Sequence, residues 1–251
     1  MIDFEKHSGV YLVGIGGIGM SALARYFISR GLIVAGYDRT ESKLTQELEK
    51  EGCSISYSDN PDTIPALFRN PSVKSRLLVV YTPAIPPESR IMEFFRKEGY
   101  AVLKRSEVLG EISRATDTIA VAGTHGKTSI STLTSHILRN SGPGCSAFLG
   151  GISKNYNTNF MLSESRFTVI EADEYDRSFH RLSPFIALIT ATDADHLDVY
   201  GSYQSMLDAY NEFCTKIRPG GKLIINEKIT DRIIVPAGIE SFVYGFSSDS
   251  D

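Results

Sequence analysis

The sequence predicts an α/β protein built from two consecutive domains, each with a parallel sheet. Apolar runs of four or five residues alternate with helical patterns along most of the 251 residues, which is typical of strands joined by crossover helices. Two glycine-rich loops, at 14–19 and 123–128, each follow an apolar run and precede a helix. Because the two loops differ in design, each is expected to open its own domain.

The first domain is predicted over residues 1–106. Gly31 and Gly52 are turn signals, and the helices that precede them are expected to end there. Strands are predicted at 10–13, 32–35, 77–81 and 101–103, and helices at 20–30, 41–51 and 91–99.

The second domain is predicted over residues 107–251, after a bridging helix near 106–115. In its first helix, Leu133, Ile137 and Leu138 recur at helical spacing, which is typical of an apolar face. So few strands follow the loop that the domain looks incomplete, and a truncated chain is expected. Strands are predicted at 118–122, 167–170, 186–189, 222–225 and 241–246, and helices at 127–139 and 203–217.

Composition excludes several classes of protein. The formal net charge of −4 gives no sign of a nucleic-acid binder. Cys53, Cys145 and Cys214 lie far apart and read as the reduced thiols of a cytoplasmic protein. No segment approaches the ~18 apolar residues that span a membrane, and the N-terminus lacks a signal-peptide pattern. We therefore expect a cytoplasmic protein without nucleic-acid or membrane partners.

The first loop, Gly14-Ile15-Gly16-Gly17-Ile18-Gly19, fits the G-x-G-x-x-G pattern between a strand and a helix. Such a loop lays a diphosphate on the N-terminus of the helix, and Asp38 at the end of the next strand would reach a ribose or a base. The first domain is therefore expected to be Rossmann-like. The pattern does not say which nucleotide binds, and tight packing of helix on strand without a ligand is the alternative.

The second loop, Gly123-Thr124-His125-Gly126-Lys127-Thr128, is the short G-x-x-G-K-[ST] form of a phosphate-binding loop, with Val121 in place of the leading glycine. Its glycines allow the backbone to approach a phosphate, Lys127 supplies a charge, and the Thr128 hydroxyl is placed to bind Mg²⁺. The second domain is therefore expected to be of the P-loop ATPase type. A glycine-rich turn with a surface lysine is the alternative.

Two acidic segments follow strands of the second domain. Glu171 comes first after the strand at 167–170, where a Mg²⁺ ligand of a phosphate-loop site belongs. The acids that follow it, Asp173, Glu174 and Asp176, are expected to be solvated. His196 follows the strand at 186–189 among three acids and could hold a second Mg²⁺ or Mn²⁺. A histidine hydrogen-bonded to loop carboxylates is the alternative.

These two loops and two acidic segments occur in the same order and spacing in the Mur ligases, which the chain resembles over nearly its whole length. The resemblance implies an N-terminal UDP-substrate domain and a central ATP-binding domain. It also implies a third, amino-acid-binding domain, which is expected to be absent from this chain. The chain alone is then expected to be unable to complete a ligation.

The resemblance implies a role for each motif. Lys127, Glu171 and His196 would be catalytic, with Thr128 and Glu171 on one Mg²⁺ (or Mn²⁺) and His196 on a second. No lysine after His196 is suitably placed to be carbamylated, so none is assigned. The residues expected to bind ATP are Gly123, Thr124, His125, Gly126, Lys127, Thr128 and Ser129. Those expected to bind the UDP substrate are Gly14, Ile15, Gly16, Gly17, Ile18, Gly19, Asp38, Thr82 and Arg105.

The implied activity is ATP-dependent ligation of L-alanine to UDP-N-acetylmuramate through an acyl phosphate, in peptidoglycan synthesis. Met20 directly after the first loop favours this alanine-adding activity. One alternative is the ligase that reattaches recycled murein tripeptide to the same nucleotide, and another is a non-catalytic UDP-sugar-binding module. An NAD-dependent oxidoreductase is disfavoured because the second loop and its acids would then have no role. The oligomeric state is not predicted.

Overall fold

The computed structural model describes residues 4–246. The chain divides into two compact units, Met1–Val108 and Leu109–Asp251, and the division falls inside one helix, Arg105–Ala115. The sequence places the domain boundary between residues 106 and 107. The two units are described separately below.

The first unit contains a five-stranded sheet in the order β3-β2-β1-β4-β5, in which all neighbours are parallel. The short edge strand β3 was not predicted, because its Ser-Ile-Ser sequence carries one apolar residue only. The strands are β1 Gly9–Val13, β2 Ile33–Tyr37, β3 Ser54–Ser56, β4 Leu77–Tyr81 and β5 Ala101–Lys104. The helices are α1 Ile18–Ser29, α2 Lys43–Lys50, α3 Ala66–Arg69, α4 Arg90–Lys97 and α5 Arg105–Ala115.

This strand order determines where a ligand could lie. The chain passes from the central strand β1 to β2 on one side and later to β4 on the other, so a crevice forms at the carboxyl ends of β1 and β4. The sheet below is well packed: the buried Tyr11 ring on β1 lies 5.5 Å from Phe68 and 4.9 Å from Phe95, between ring centroids. The crevice therefore rests on a rigid support.

The second unit contains a seven-stranded sheet in the order β12-β11-β10-β6-β9-β7-β8. Its neighbours are parallel except for the antiparallel pair β7 and β8, which the sequence did not predict. The strands are β6 Asp117–Ala122, β7 Ser146–Ser153, β8 Thr158–Met161, β9 Phe167–Glu171, β10 Ile186–Ile189, β11 Lys222–Asn226 and β12 Glu240–Tyr244. The helices are α6 Lys127–Asn140, α7 Leu197–Tyr200 and α8 Tyr203–Cys214.

Helix α6 corrects the predicted apolar face. Of the three apolar residues at helical spacing, Leu138 packs on the core, but Leu133 and Ile137 are 57% and 55% exposed, so the predicted apolar face was wrong for these two. The helix instead lays the fully buried Ser131 and Ser135 on the sheet, with Ile130 packed beside them. Small serines allow the helix to come close to the strands, and the Ser135 hydroxyl donates back to the Ser131 carbonyl at 2.7 Å. Residues that are polar in sequence can therefore form the packed stripe of a helix.

Within residues 4–246, no helix combines the length and the apolar character that crossing a membrane requires.

Candidate functional site

The glycine-rich loop of the first unit turns from β1 into α1 in a way that requires glycine at its start. Gly14 has φ +87°, and a Cβ atom there would lie 2.6 Å from the Thr82 methyl group. The Gly17 amide donates to the Gly14 carbonyl at 3.2 Å, and α1 begins at Ile18. The loop thus leads directly onto a helix N-terminus, where backbone N–H groups favour an anion.

Asp38 holds this loop from the end of the neighbouring strand. One carboxylate oxygen accepts from the Gly16 amide at 2.8 Å, and the other accepts from the Thr40 amide at 3.1 Å. A Cβ atom at residue 16 would lie 2.9 Å from the same carboxylate, so the contact needs glycine. The structure therefore gives Asp38 a role in shaping the loop, in addition to the predicted contact with a ribose or base.

Arg105 places a cation beside the first turn of α1. A Cβ atom at Gly19 would overlap its guanidinium group. Thr82, which follows β4, lies against Gly14 on another side of the loop. The structure thus brings together the loop, Thr82, Asp38 and Arg105, which the sequence predicted as one site.

An open cleft of about 640 Å³ adjoins the loop. Its walls are the loop glycines, the residues after β2 and the segment after β4. Asp59 also lines it, but this carboxylate already caps α4, accepting from the Ser89 hydroxyl and from the Arg90 and Ile91 amides at 2.9–3.0 Å. The N-terminus of α4 is thus already capped by a carboxylate, which makes it a less favourable place for an anion than the N-terminus of α1. A cleft of this size fits a nucleotide-sized ligand.

The second loop is shaped by residues after β10. Gly123 has φ +128°, and a Cβ atom there would collide with the Thr190 hydroxyl. That hydroxyl lies within hydrogen-bond distance of two carbonyl oxygens, that of Ala122 at 3.2 Å and that of His125, which share its one hydrogen. The Thr124 amide donates to Ala191 O at 3.0 Å. The sequence did not assign Thr190; its position directly after a strand was the available signal.

Lys127 is held by its own loop and by a buried acid. Its ammonium group donates to the Gly123 carbonyl at 2.8 Å and to Glu174 Oε1 at 2.7 Å. The Lys127 side chain is 17% exposed and that of Glu174 only 1%. The expectation that Glu174 is solvated was therefore wrong. The segment after β9 turns inward, and there the Tyr200 hydroxyl donates to the Glu174 carbonyl at 2.6 Å.

Two opposing effects act on the Glu174 carboxyl. Burial raises its pKa, because a charged carboxylate is poorly solvated there, and the hydrogen bond and charge of Lys127 lower it. The same environment raises the pKa of Tyr200 to about 12, through burial and then through the nearby Glu174 charge. Tyr200 therefore stays protonated at neutral pH and can donate its hydrogen bond.

Glu171 gathers three segments at the end of β9. One of its oxygens accepts from the Thr128 hydroxyl at 3.0 Å, and the other accepts from the Gly150 amide at 2.9 Å and the Ser131 hydroxyl at 3.4 Å. A Cβ atom at residue 150 would overlap the carboxylate, so β7 can approach only with glycine there. Thr128 and Glu171, two of the predicted metal ligands, are thus adjacent.

His196 lies beside other acids. Its Nε2 atom is 3.8 Å from Glu174 Oε1 and 3.7 Å from Asp195 Oδ2, and its φ is +50°. Among residues 4–246, no hydrogen bond or ion pair joins it to Glu171, and no three His, Cys, Asp or Glu side chains are arranged to hold a metal. The Thr128–Glu171 pair and His196 thus lie apart from each other, as two groups, which is how the sequence assigned them to two ions.

Two further predicted residues lie at the surface. His125 is exposed, with Nε2 3.4 Å from Asp193 Oδ2. Ser129 lines a separate hollow of about 340 Å³ together with Thr128 and Ser153. The Ser153 hydroxyl is buried and has no hydrogen-bond partner among the described residues.

The arrangement of the second unit suits phosphate and a hard metal ion. A strand, a glycine loop and a helix N-terminus carry a lysine, and the threonine hydroxyl and acid beside it are oxygen donors of the kind that Mg²⁺ prefers. Both glycines of the loop have positive φ, +128° and +80°, which leaves the backbone open to a ligand.

Comparison with known protein families tests the family resemblance that the sequence motifs indicate. Residues 9–116 match the model described as Mur ligase family, catalytic domain, and residues 121–251 match the Mur ligase middle domain. The chain belongs to the Mur ligase family. The resemblance stated from the four motifs is therefore confirmed.

Relatives in the Mur ligase family extend beyond this chain. The UDP-N-acetylmuramate–L-alanine ligase of Phocaeicola vulgatus is 49% identical over 244 residues, which are 97% of this chain and 53% of that protein. The UDP-N-acetylmuramate–alanine ligase structure from Thermotoga maritima has a TM-score of 0.79 and 27% identity, covering 96% of this chain and 53% of that one. This Mur ligase chain thus spans about half the length of these two relatives.

A third Mur ligase relative shares the fold alone. The structure of the UDP-N-acetylmuramate:L-alanyl-gamma-D-glutamyl-meso-diaminopimelate ligase from Neisseria meningitides has a TM-score of 0.84 at 20% identity, covering 97% of this chain and 82% of that one. The predicted fold class, a Rossmann-like unit followed by a P-loop-type α/β unit, is confirmed by these structures and by the two sheets.

Proposed function

We propose that this chain carries the nucleotide-substrate and ATP sites of an ATP-dependent ligase that joins L-alanine to UDP-N-acetylmuramate in peptidoglycan synthesis. The observation that carries the proposal is the 2.7–3.0 Å grouping of Lys127, Thr128, Glu171 and Glu174 around the second loop. Such a grouping suits phosphoryl transfer and has no use in hydride transfer. The 49% identity to a ligase of that name supports the choice of substrates.

The first unit is the proposed UDP-substrate site. The diphosphate would lie on the N-terminus of α1, against the loop residues 14–19, with the Arg105 cation nearby. Asp38 would face the uracil or ribose end, and Thr82 would line the sugar side. This assignment is supported by the loop geometry, and the N-terminus of α4 in the same cleft is already capped by Asp59.

The second unit is the proposed ATP site. Residues 123–129 would surround the phosphates, and Lys127 would contact the β- and γ-phosphates. Thr128 and Glu171 would hold one divalent ion, and His196 a second. Mg²⁺ (or Mn²⁺), when bound, supplies positive charge that neutralises the phosphate oxygens. The hydroxyl and carboxylate oxygens of Thr128 and Glu171, 3.0 Å apart, fit such an ion in chemical type.

The proposed reaction solves a leaving-group problem. A carboxylate does not acylate an amine, because oxide or hydroxide would have to leave. Transfer of the γ-phosphoryl group to the muramate carboxylate, with release of ADP, gives an acyl phosphate. The alanine amine then forms the C–N bond, phosphate leaves, and the amine proton is lost. Both steps crowd anionic charge, so the contribution of this chain is positioning and charge neutralisation, with Lys127 foremost.

The same proposal places the chain in the cytoplasm. The thiols of Cys53, Cys145 and Cys214 are free and buried, as in a reducing compartment.

The ligase that takes murein peptide is the second candidate, since its fold is shared at a TM-score of 0.84. It ranks lower because that likeness is at 20% identity and therefore concerns the fold only.

Calorimetric titration tests the proposal. UDP-N-acetylmuramate should bind, UDP should bind more weakly, NADH should give no heat, and a non-hydrolysable ATP analogue should bind in the presence of Mg²⁺. Lys127→Ala should abolish binding of the ATP analogue and leave UDP-N-acetylmuramate binding intact, because the two sites lie on different loops.

Lys228→Ala, an exposed charge loss in the same unit, is the matched control and should change neither titration. Equal loss of both ligands in Lys127→Ala would count against two separate sites. If NADH binds and the UDP compounds do not, the first loop would instead be the dinucleotide site of an oxidoreductase.

A further inference from the structure

Two side chains from different parts of the second unit lie close to a single carboxylate oxygen of Glu174. Its Oε1 accepts from the Lys127 ammonium at 2.7 Å and lies 3.8 Å from His196 Nε2. Lys127 begins α6, and His196 directly precedes α7. One buried carboxylate therefore stands between the phosphate-loop lysine and the histidine.

The hydrogen bonds of Lys127 leave capacity for a ligand. An ammonium group has three donors. Two are taken by the Gly123 carbonyl and Glu174 Oε1, at 2.8 and 2.7 Å. A long lysine side chain loses considerable rotamer freedom when it is ordered, and the Gly123 carbonyl and Glu174 supply contacts from the protein itself that order it. A phosphate that arrives at the loop would therefore meet an ammonium already in place, with one donor left to give.

The hydrogen bond between Lys127 and Glu174 is costly to break. The Glu174 side chain is 1% exposed, and its second oxygen, Oε2, has no hydrogen-bond partner among residues 4–246. If the ammonium turned away, a charged carboxylate would remain buried without compensation, which is strongly unfavourable. An incoming phosphate is thus expected to add to the Lys127–Glu174 pair and not to replace Glu174.

The backbone of Glu174 is fixed to the element that follows His196. The Tyr200 hydroxyl donates to the Glu174 carbonyl at 2.6 Å, and Tyr200 closes α7, which begins at Leu197. The carboxylate and the histidine are therefore anchored through the same short helix. A movement of α7 is therefore expected to change the positions of both the Glu174 carboxylate and the His196 imidazole.

We propose that Glu174 is the positioning residue of this site: its buried carboxylate fixes the Lys127 ammonium for phosphate and lies 3.8 Å from the His196 imidazole. The inference rests on the proposed ATP site for its consequence, since it is through Lys127 that Glu174 acts on a nucleotide. It assigns Glu174 no contact with the nucleotide itself.

The first arm of the test needs no nucleotide. Urea unfolding is measured for Glu174→Gln, Lys127→Met and the double variant. Each single change removes one charge of a buried pair and should raise the unfolding equilibrium constant by about tenfold or more. The double variant should be raised by clearly less than the product of the two, because it leaves no unpaired charge. Strictly multiplicative effects would overturn the inference.

The second arm measures binding of a non-hydrolysable ATP analogue with Mg²⁺, by calorimetry at a temperature where each variant is folded. Glu174→Ala should weaken binding by about tenfold or more, and Glu174→Gln, which keeps an acceptor oxygen for Lys127, by less. In the Lys127→Met background, Glu174→Gln should have no further effect. Asp176→Asn is the control and should bind like the parent, because Asp176 is exposed and its φ of +53° suits asparagine.

The outcomes separate the inference from the proposed function. Unchanged binding in folded Glu174→Ala would show that Glu174 does not position Lys127 for phosphate, and tighter binding would show that its charge repels phosphate; either result would overturn its positioning role. Further weakening by Glu174→Gln in the Lys127→Met background would also overturn it, since Glu174 would then act without the lysine. If the parent chain binds no ATP analogue, the proposed ATP site fails, and the urea arm alone decides whether Glu174 holds Lys127.

Discussion

Glu171 accepts hydrogen bonds from side chains and backbone of three segments: the start of α6, one turn further along it, and β7. These donors satisfy a carboxylate that would otherwise face the loop unpaired. A divalent ion could take the Thr128-facing oxygen while the Gly150 amide, 2.9 Å from the other oxygen, keeps the carboxylate oriented. A metal ligand is positioned best when its remaining lone pairs are already satisfied.

Glu171→Gln should therefore raise the Mg²⁺ concentration needed for binding of an ATP analogue, by about tenfold or more, because an amide oxygen is a weaker ligand for a hard cation than a carboxylate. The measurement is calorimetric binding of the analogue across a Mg²⁺ series. Glu164→Gln, an exposed charge loss before the same strand, should leave the series unchanged. An unaltered Mg²⁺ requirement in Glu171→Gln would remove Glu171 from the proposed metal site.

At the same scale, the sequence anticipated local chemistry better than burial. Lys127, Thr128 and Glu171 were assigned because a loop, a helix start and a strand end can be recognised within a few residues of each chemical group. Glu174 was missed because its burial depends on Tyr200, 26 residues later, which pulls the backbone inward. No pattern within the acidic segment distinguishes Glu174 from the exposed Asp176 two residues on.

At the scale of elements, α6 shows how packing on a sheet can reverse an apolar pattern. The exposed Leu133 and Ile137 lie on the outer side of the helix, while the fully buried Ser131 and Ser135 face the strands. Apolar residues at helical spacing identify only part of the packed face, Ile130 and Leu138, because close approach to a sheet favours small side chains such as these serines. The hairpin of β7 and β8 was also missed, since β7 contains Gly150 and Gly151, which weaken the strand pattern.

The packing of α6 leads to a ranking of stabilities. Ser135→Val should destabilise the protein by about 1–3 kcal/mol, because added methyl groups must fit where the hydroxyl donates to the Ser131 carbonyl at 2.7 Å. Leu133→Gln, at a position 57% exposed, should change the free energy of unfolding by less than about 0.5 kcal/mol. Urea unfolding of both variants provides the test. A larger loss for Leu133→Gln than for Ser135→Val would mean that the outer face of α6 is packed in solution.

At the scale of the whole molecule, the alternation of strands and helices was sufficient to predict two parallel-sheet units, because crossover connections leave few other arrangements. The order of strands was beyond that reasoning. Parallel strands carry similar buried sequences, and the sequences of β6, β9 and β10 do not indicate which of these strands are adjacent in the sheet. The order β10-β6-β9 is set by the packing of the folded unit. That order is what brings Thr190 and Glu171 to the two sides of the loop after β6.

Three buried thiols report on the two units separately. Cys53 lies in the first unit, and Cys145 and Cys214 lie in the second. Burial raises the pKa of Cys53 and of Cys214 to about 12, and it also raises the pKa of Cys145. At pH 8 the reactive thiolate is therefore scarce in the folded state, so alkylation should wait for local or global opening.

Ligands should then protect the thiols unit by unit. A ligand at 100 times its Kd stabilises the state that binds it by about 2.7 kcal/mol, which slows labelling through opening by about a hundredfold. We expect UDP-N-acetylmuramate to slow alkylation of Cys53 alone, and an ATP analogue with Mg²⁺ to slow that of Cys145 and Cys214 alone, because each ligand is proposed to bind one unit. Mass spectrometry of peptides after timed iodoacetamide labelling distinguishes the three positions.

Two controls make this labelling decisive. Lys127→Ala should remove protection of Cys145 and Cys214 by the ATP analogue while UDP-N-acetylmuramate still protects Cys53, which links the effect to the second loop. Labelling in urea should modify all three thiols at similar rates, showing that their native inertness comes from burial. If either ligand instead protects all three cysteines equally, the two units open as one cooperative body, and a change at one loop would then be expected to alter ligand binding at the other.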